Sequence, residues 1–218
     1  MIGTKFYHPT GDSPNQRGVS RKHIMAAVDL SLRRLGTDYI DLYAFHKLDP
    51  PTPMEEMLEA MHDLVKSGKV RYIGASNILA WHMAKLLHTA DMRGWTRLIS
   101  IENHYNLVYR EEEREMIPLC RAEGIGVKPF SPLARGFLAG TIDRQGRGAT
   151  TRGRVDEFTP ELYHRESDFH IRDRVNALAE RREVRPAQIA LAWLLHKDGV
   201  SAPVVGVSKP PHVCLLYT

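Results

Sequence analysis

Two cysteines, Cys120 and Cys214, are all that this 218-residue chain contains. That is too few for a disulfide framework, and neither has a second cysteine at metal-ligand spacing. Cys120 falls in Met116-Ile117-Pro118-Leu119-Cys120, a stretch of helical pattern where a buried reduced thiol is expected. No run of ~18 apolar residues occurs, which excludes a membrane-spanning helix. The opening Met1-Ile2-Gly3-Thr4-Lys5-Phe6 has no cationic segment followed by an apolar one. No secretory leader is expected there, and the expected compartment is the cytoplasm. The 11 histidines are scattered, with no His-x-His or His-Glu-x-x-His pair, so a metal centre is not expected. No Gly-x-Gly-x-x-Gly follows an apolar run. Gly146-Arg147-Gly148 stands in a loop with no strand before it, so the fingerprint of a doubly wound dinucleotide fold is lacking.

What is present is ordinary in amount and informative in order. The apolar share of 43% and charged share of 26% suit a globular core. The net charge of +4 fits nucleic acid or a phosphate-bearing cofactor. The basic residues are dispersed except for Arg144, Arg147, Arg152 and Arg154, which read as a solvated loop. No aromatic residue interleaves them, as a stacking platform for bases would need.

Short β-branched runs alternate with longer helical patterns. Strands are expected at Ile2–Phe6, Tyr39–Phe45, Val70–Ser76, Leu98–Glu102, Ile125–Phe130 and Pro203–Val207. Four of their midpoints lie about 30 residues apart, the size of one βα unit. The runs are apolar rather than alternating, as in strands of a parallel sheet buried on both faces. Helices are expected after the cap Ser20 up to Gly36, along the Met54, Met57, Leu58, Met61 and Val65 stripe, and over Leu79–Arg93, Glu111–Glu123 and Ala187–His196. Residues 134–167 lack periodicity and read as a long loop. Polar groups cluster where the strands end, at Lys5, His46, Ser76-Asn77, Glu102-Asn103 and Ser131. A barrel carries its chemistry at such ends. A carboxylate-driven hydrolase would need a second strand-end acid opposite Glu102, and Asp49, in a proline-rich loop, is the only nearby one.

Four segments carry a resemblance. Asp38-Tyr39-Ile40-Asp41-Leu42-Tyr43-Ala44-Phe45-His46 resembles the aldo-keto reductase strand that ends in a catalytic histidine. Ile73-Gly74-Ala75-Ser76-Asn77 resembles that family's nicotinamide-carboxamide segment. Lys128-Pro129-Phe130-Ser131-Pro132-Leu133-Ala134-Arg135-Gly136 resembles its Ser-Pro-Leu-Ala-Arg-Gly signature, and Val205-Gly206-Val207-Ser208-Lys209-Pro210 its final strand and 2′-phosphate loop. The order and spacing match, over nearly the whole chain. The resemblance implies a (β/α)8 barrel and reduction of aldehydes and ketones with NADPH, by a tetrad of Asp, Tyr, Lys and His. It puts Lys5 in the lysine role, where an ammonium lowers a phenol's pKa, and His46 in the carbonyl-orienting role. It assigns Ser76, Asn77 and Glu102 to the carboxamide and Phe130 to stacking on the nicotinamide. Ser131, Leu133 and Arg135 fall to the pyrophosphate, and Ser208 and Lys209 to the 2′-phosphate, favouring NADP(H). The family usually has Gln where this chain has Glu102, and a carboxylate accepts but does not donate.

The resemblance also implies departures. The family barrel has eight strands, against the six expected here. The expectation is an incomplete barrel, with the first two βα units, which carry the tetrad Asp and Tyr, and the last helix missing. Residues 1–210 are expected to form the partial domain and 211–218 an atypical tail. Lys5 would lack its carboxylate partner, and the chain would be weakly stable with little turnover. The function expected is NADPH-dependent carbonyl reduction, impaired here. The alternative is a non-catalytic cofactor-binding or partner-completed fragment. The expected partner is a small carbonyl compound, with neither nucleic acid nor membrane, and the oligomeric state is left open.

Overall fold

The apolar runs pair in parallel, because their helices return each strand to the same end of the sheet. The computed structural model describes residues 1–140, 161–163, 165–207, 210 and 213. Its sheet comprises β1 (Gly3–Phe6), β2 (Ile40–Phe45), β3 (Val70–Ser76), β4 (Leu98–Glu102) and β5 (Gly126–Val127) in the order β1-β2-β3-β4-β5. The order never reverses. A doubly wound sheet turns back at a switch point; a sheet that adds each new strand on the same side is built as a barrel is. Among the described residues the sheet is unclosed, as expected of an incomplete (β/α)8 barrel.

Two compact units divide the chain. The first, Met1–Asn103 with Glu115–Val127, holds the sheet and α1 (Arg21–Leu35), α2 (Met54–Lys66), α3 (Ala80–Arg93) and α4 (Met116–Glu123). Gly36, in the left-handed conformation at φ 65°, ends α1 and returns its N–H to Leu32 O, as the sequence suggests. The apolar stripe of α2 buries Met57, Leu58, Met61 and Leu64 completely or nearly so. Cys120 on α4 is buried and in no disulfide.

The second unit, His104–Arg114 with Lys128–Thr218, contains α5 (Glu166–Arg181) and α6 (Pro186–Leu195). Its core gathers Ala134, Phe137, Leu138, Tyr163, Phe169, Val175 and Ala190.

Three expectations change. Residues 203–207 form no regular strand; Val204 N donates to Pro129 O at 2.8 Å, a single rung rather than a ladder. Pairing at the Ile125–Phe130 run is shorter than the apolar run, since Pro129 has no N–H to offer; Phe130 makes only an isolated bridge with His104. The helix α5 was not legible, because its inward positions Phe169, Arg172, Val175 and Ala179 place a charge in the apolar stripe. Arg172 fills that position with its guanidinium 4.8 Å from the Phe169 ring centre and 5.4 Å from that of Phe137. Arg144, Arg147, Arg152, Arg154 and Cys214 lie outside the described residues.

Candidate active site

Residues opposite one another in a parallel ladder share a face, and so do residues two apart along a strand. The pairs Lys5↔Ala44, Ala44↔Gly74 and Gly74↔Ser100 therefore make one row across four strands, with Ser76↔Glu102 in the row above. This places Lys5 and Glu102 on the same face at the carboxyl ends of β1 and β4, with His46 and Asn77 just beyond β2 and β3.

Hydrogen bonds tie these residues together. The Ser76 hydroxyl, buried, donates to Glu102 O at 2.7 Å, and Asn77 N donates to the same oxygen at 3.2 Å. The Asn77 side-chain amide donates to His46 O at 3.2 Å and to Ser76 Oγ at 2.9 Å. Asn77 sits in the left-handed region at φ 52°, where asparagine is among the few residues tolerated. The loop after β3 is held by Asn103, whose amide donates to Ile78 O at 2.9 Å. All five residues predicted on these strands thus come together in one unit.

The electrostatics are specific. Lys5 Nζ lies 2.8 Å from Glu102 Oε1. The expectation of a lysine without a carboxylate partner is therefore corrected: Glu102 supplies the charge, from three strands away. The His46 imidazole is held below its ordinary pKa, first by burial, then by His8 and Lys5, with Glu102 opposing. It is neutral at pH 7 and so offers one ring N–H as a donor. The His8 ring meets it edge-on, centres 4.6 Å apart.

The second unit gathers the remaining described residues. His104 lies nearly parallel to Tyr109 at 4.2 Å and to Phe130 at 5.3 Å between ring centres, so Phe130 stacks on a ring that itself stacks on a third. The Asn106 amide donates to Ser131 O at 2.9 Å and to Tyr163 Oη at 3.1 Å, and its nitrogen lies 3.2 Å from His104 Nε2. The Tyr163 hydroxyl also meets His104 Nε2. Burial, and then Arg135, push His104 down to about 4. Ser131, Ala134 and Arg135 have φ values of 53°, 48° and 57°, and Gly136 follows at 107°. Three L-residues held there are strained. Leu133 is half-buried against the unit's core. Ser208 and Lys209 lie outside the described residues.

The Aldo/keto reductase family model matches residues 1–214. The chain belongs to the aldo/keto reductase family. Its members are oxidoreductases that generally work with a nicotinamide cofactor. The chain is 47% identical over 201 residues to a Schizosaccharomyces pombe protein named as an aryl-alcohol dehydrogenase, covering 91% of this chain and 56% of that one. It is 45% identical over 206 residues to versiconal hemiacetal acetate reductase of Aspergillus parasiticus, covering 93% of this chain and 59% of the relative. It is also 45% identical over 198 residues to the aldo-keto reductase AMT2 of Alternaria alternata, covering 91% and 53%. The chain thus spans rather more than half the length of these relatives.

His8, His104, Asn106, Tyr109 and Tyr163 were missed in the sequence. The signal for two of them was the run Asn103-His104-Tyr105-Asn106, which follows an apolar strand directly with groups that a plain turn does not need. Among the described residues no group of three or more His, Cys, Asp or Glu could hold a metal ion, and no helix is long and apolar enough to cross a membrane.

Proposed function

We propose that the chain is part of an NADPH-dependent reductase that turns aldehydes or ketones into alcohols in the cytoplasm. The observation that carries this reading is the gathering of Lys5, His46, Ser76, Asn77 and Glu102 at the carboxyl ends of four parallel strands. Family membership supports it.

The donor set suits a nicotinamide cofactor. Asn77 is exposed and uses its amide nitrogen within the protein, which leaves its amide oxygen to accept from a carboxamide. Ser76 holds Asn77 in place, its own hydroxyl proton directed at the β4 backbone. Phe130 offers an aromatic face, its ring already stacked on His104. The strained loop with Ser131, Leu133 and Arg135 suits pyrophosphate, Arg135 being a planar fork for phosphate oxygens. Ser208 and Lys209 are assigned to the 2′-phosphate, and with it the preference for NADP(H).

When bound, the cofactor supplies the hydride. The residues of this chain prepare the carbonyl. His46, neutral, donates its ring N–H to the carbonyl oxygen and fixes its direction. The Lys5 ammonium stabilises the negative charge that develops on that oxygen, in a site partly shielded from water, and the alkoxide then takes a proton from a water molecule to become the alcohol. Glu102 balances the charge of Lys5.

A second reading rests on the edges at β1 and β5, which are unpaired among the described residues. Unpaired strand edges invite pairing with another chain, which would make this a partner-completed or non-catalytic cofactor binder. Both readings are tested by assaying the purified chain with NADPH and an aromatic aldehyde, the probe suggested by the relative named as an aryl-alcohol dehydrogenase. NADPH consumption lost in Lys5→Met supports the reductase. Saturable NADPH binding with no turnover of aldehydes or ketones favours the second reading.

A further inference from the structure

On a flat sheet β1 and β4 would stand roughly 14 Å apart, three strand spacings. Side chains rise from a sheet rather than lie along it, so Lys5 and Glu102 meet at 2.8 Å only because the sheet curls towards this face. The row between them is made of small residues, Ala44 and Gly74. A Cβ on Gly74 would lie 2.6 Å from Ser100 Oγ and 3.3 Å from Leu42 Cδ1, so the row beneath the ion pair is already close-packed without one. The Glu102 side chain is 10% exposed, against 28% for Lys5. Its backbone oxygen accepts from both Ser76 Oγ and Asn77 N. Glu102 is therefore the fixed member of the pair, and Lys5 the long, mobile one.

We propose that Glu102 is a positioning residue that holds the Lys5 ammonium at the reacting end of the strands. This rests on the role given to Lys5 above. A lysine has four rotatable side-chain bonds and no preferred direction of its own. A buried carboxylate with an anchored backbone selects, from the positions Lys5 can reach, the one beside His46 and Asn77. The part Glu102 plays is then in placing a charge, and its contact with the carboxamide is secondary.

Two measurements on wild type, Glu102→Gln and Glu102→Asp test this, with circular dichroism and melting as checks on the fold. Acetylation of Lys5 by N-hydroxysuccinimidyl acetate, followed by mass spectrometry, reads the pair without any turnover. An ion-paired ammonium is masked, so Lys5 acetylation is expected to rise about fivefold or more in Glu102→Gln and to stay nearer wild type in Glu102→Asp. Equal acetylation in all three folded proteins overturns the proposal. In turnover, Glu102→Gln is expected to lower kcat roughly 10- to 100-fold with the KM for NADPH little changed, and Glu102→Asp to recover part of it. An unchanged kcat in Glu102→Gln, or a loss confined to the KM for NADPH, also overturns it. If wild type itself shows no turnover, the reductase reading fails, while the acetylation result still decides whether Glu102 holds Lys5.

Discussion

At the scale of single residues the charges in the two units are set by burial and by neighbours close enough to name. His46 stays neutral because it is partly buried and faces the cation Lys5. Its folded pKa is depressed, so carbonyl turnover should fall as pH drops below that pKa, when the imidazole gains a proton and a charge beside Lys5. His104 is the stronger case, titrating at about 4 against 6.5 in an open chain. The folded form binds the proton less readily than the unfolded one, so this contribution to stability is complete above pH 6.5 and is lost as pH falls towards 4. Protonation of Nε2 would also turn the acceptor facing the Tyr163 hydroxyl into a donor. Denaturant unfolding between pH 7.5 and pH 4.5 should show a loss of about 1–3 kcal/mol from this group, and His104→Gln should remove that part of the slope. Equal slopes in the two proteins would contradict the assignment. Lys5, His46, Asn77 and Arg135 were legible in the sequence because each ends or follows a strand within a motif. His8 and Tyr163 were not, because neither adjoins a strand end in a recognisable pattern, and only the folded chain brings them to His46 and His104.

At the scale of elements the sequence told most where one physical signal dominated. The runs of β2, β3 and β4 are apolar on both faces, and their bounds follow the sequence within a residue. Where a charged residue does an apolar one's work, the pattern was hidden. Arg172 is 9% exposed and lies over the rings of both Phe137 and Phe169 while donating to Asp173 Oδ1 at 3.0 Å. Arg172→Ala should cost about 2 kcal/mol by denaturant unfolding; a change within a few tenths would mean that the stacking contributes nothing. Gly74 tests the packing of β3 on β4. A Cβ there would meet Ser100 Oγ, which can rotate away, and Ser100 O at 3.2 Å, which cannot. Gly74→Ala is expected to destabilise by about 1–2 kcal/mol, read from the shift in the urea midpoint.

At the scale of the whole molecule, the monotonic strand order, with polar groups gathered at one end of the strands, agrees with the barrel architecture of the aldo/keto reductase family to which the chain belongs. The fold class was legible because βα units repeat at a steady interval. The partnership of Lys5 with Glu102 was not, because it depends on the curl of the sheet, which no local pattern encodes. The central proposal is that the chain binds a phosphorylated nicotinamide cofactor. Titration of the purified chain with NADPH, with NADH as the control, tests it most directly through quenching of Trp81, Trp95 and Trp193 fluorescence. The account predicts saturable binding, tighter for NADPH by about tenfold or more, and weakened at least as much by Arg135→Ala. A folded chain that binds neither cofactor, or that binds both equally and ignores Arg135→Ala, would contradict it.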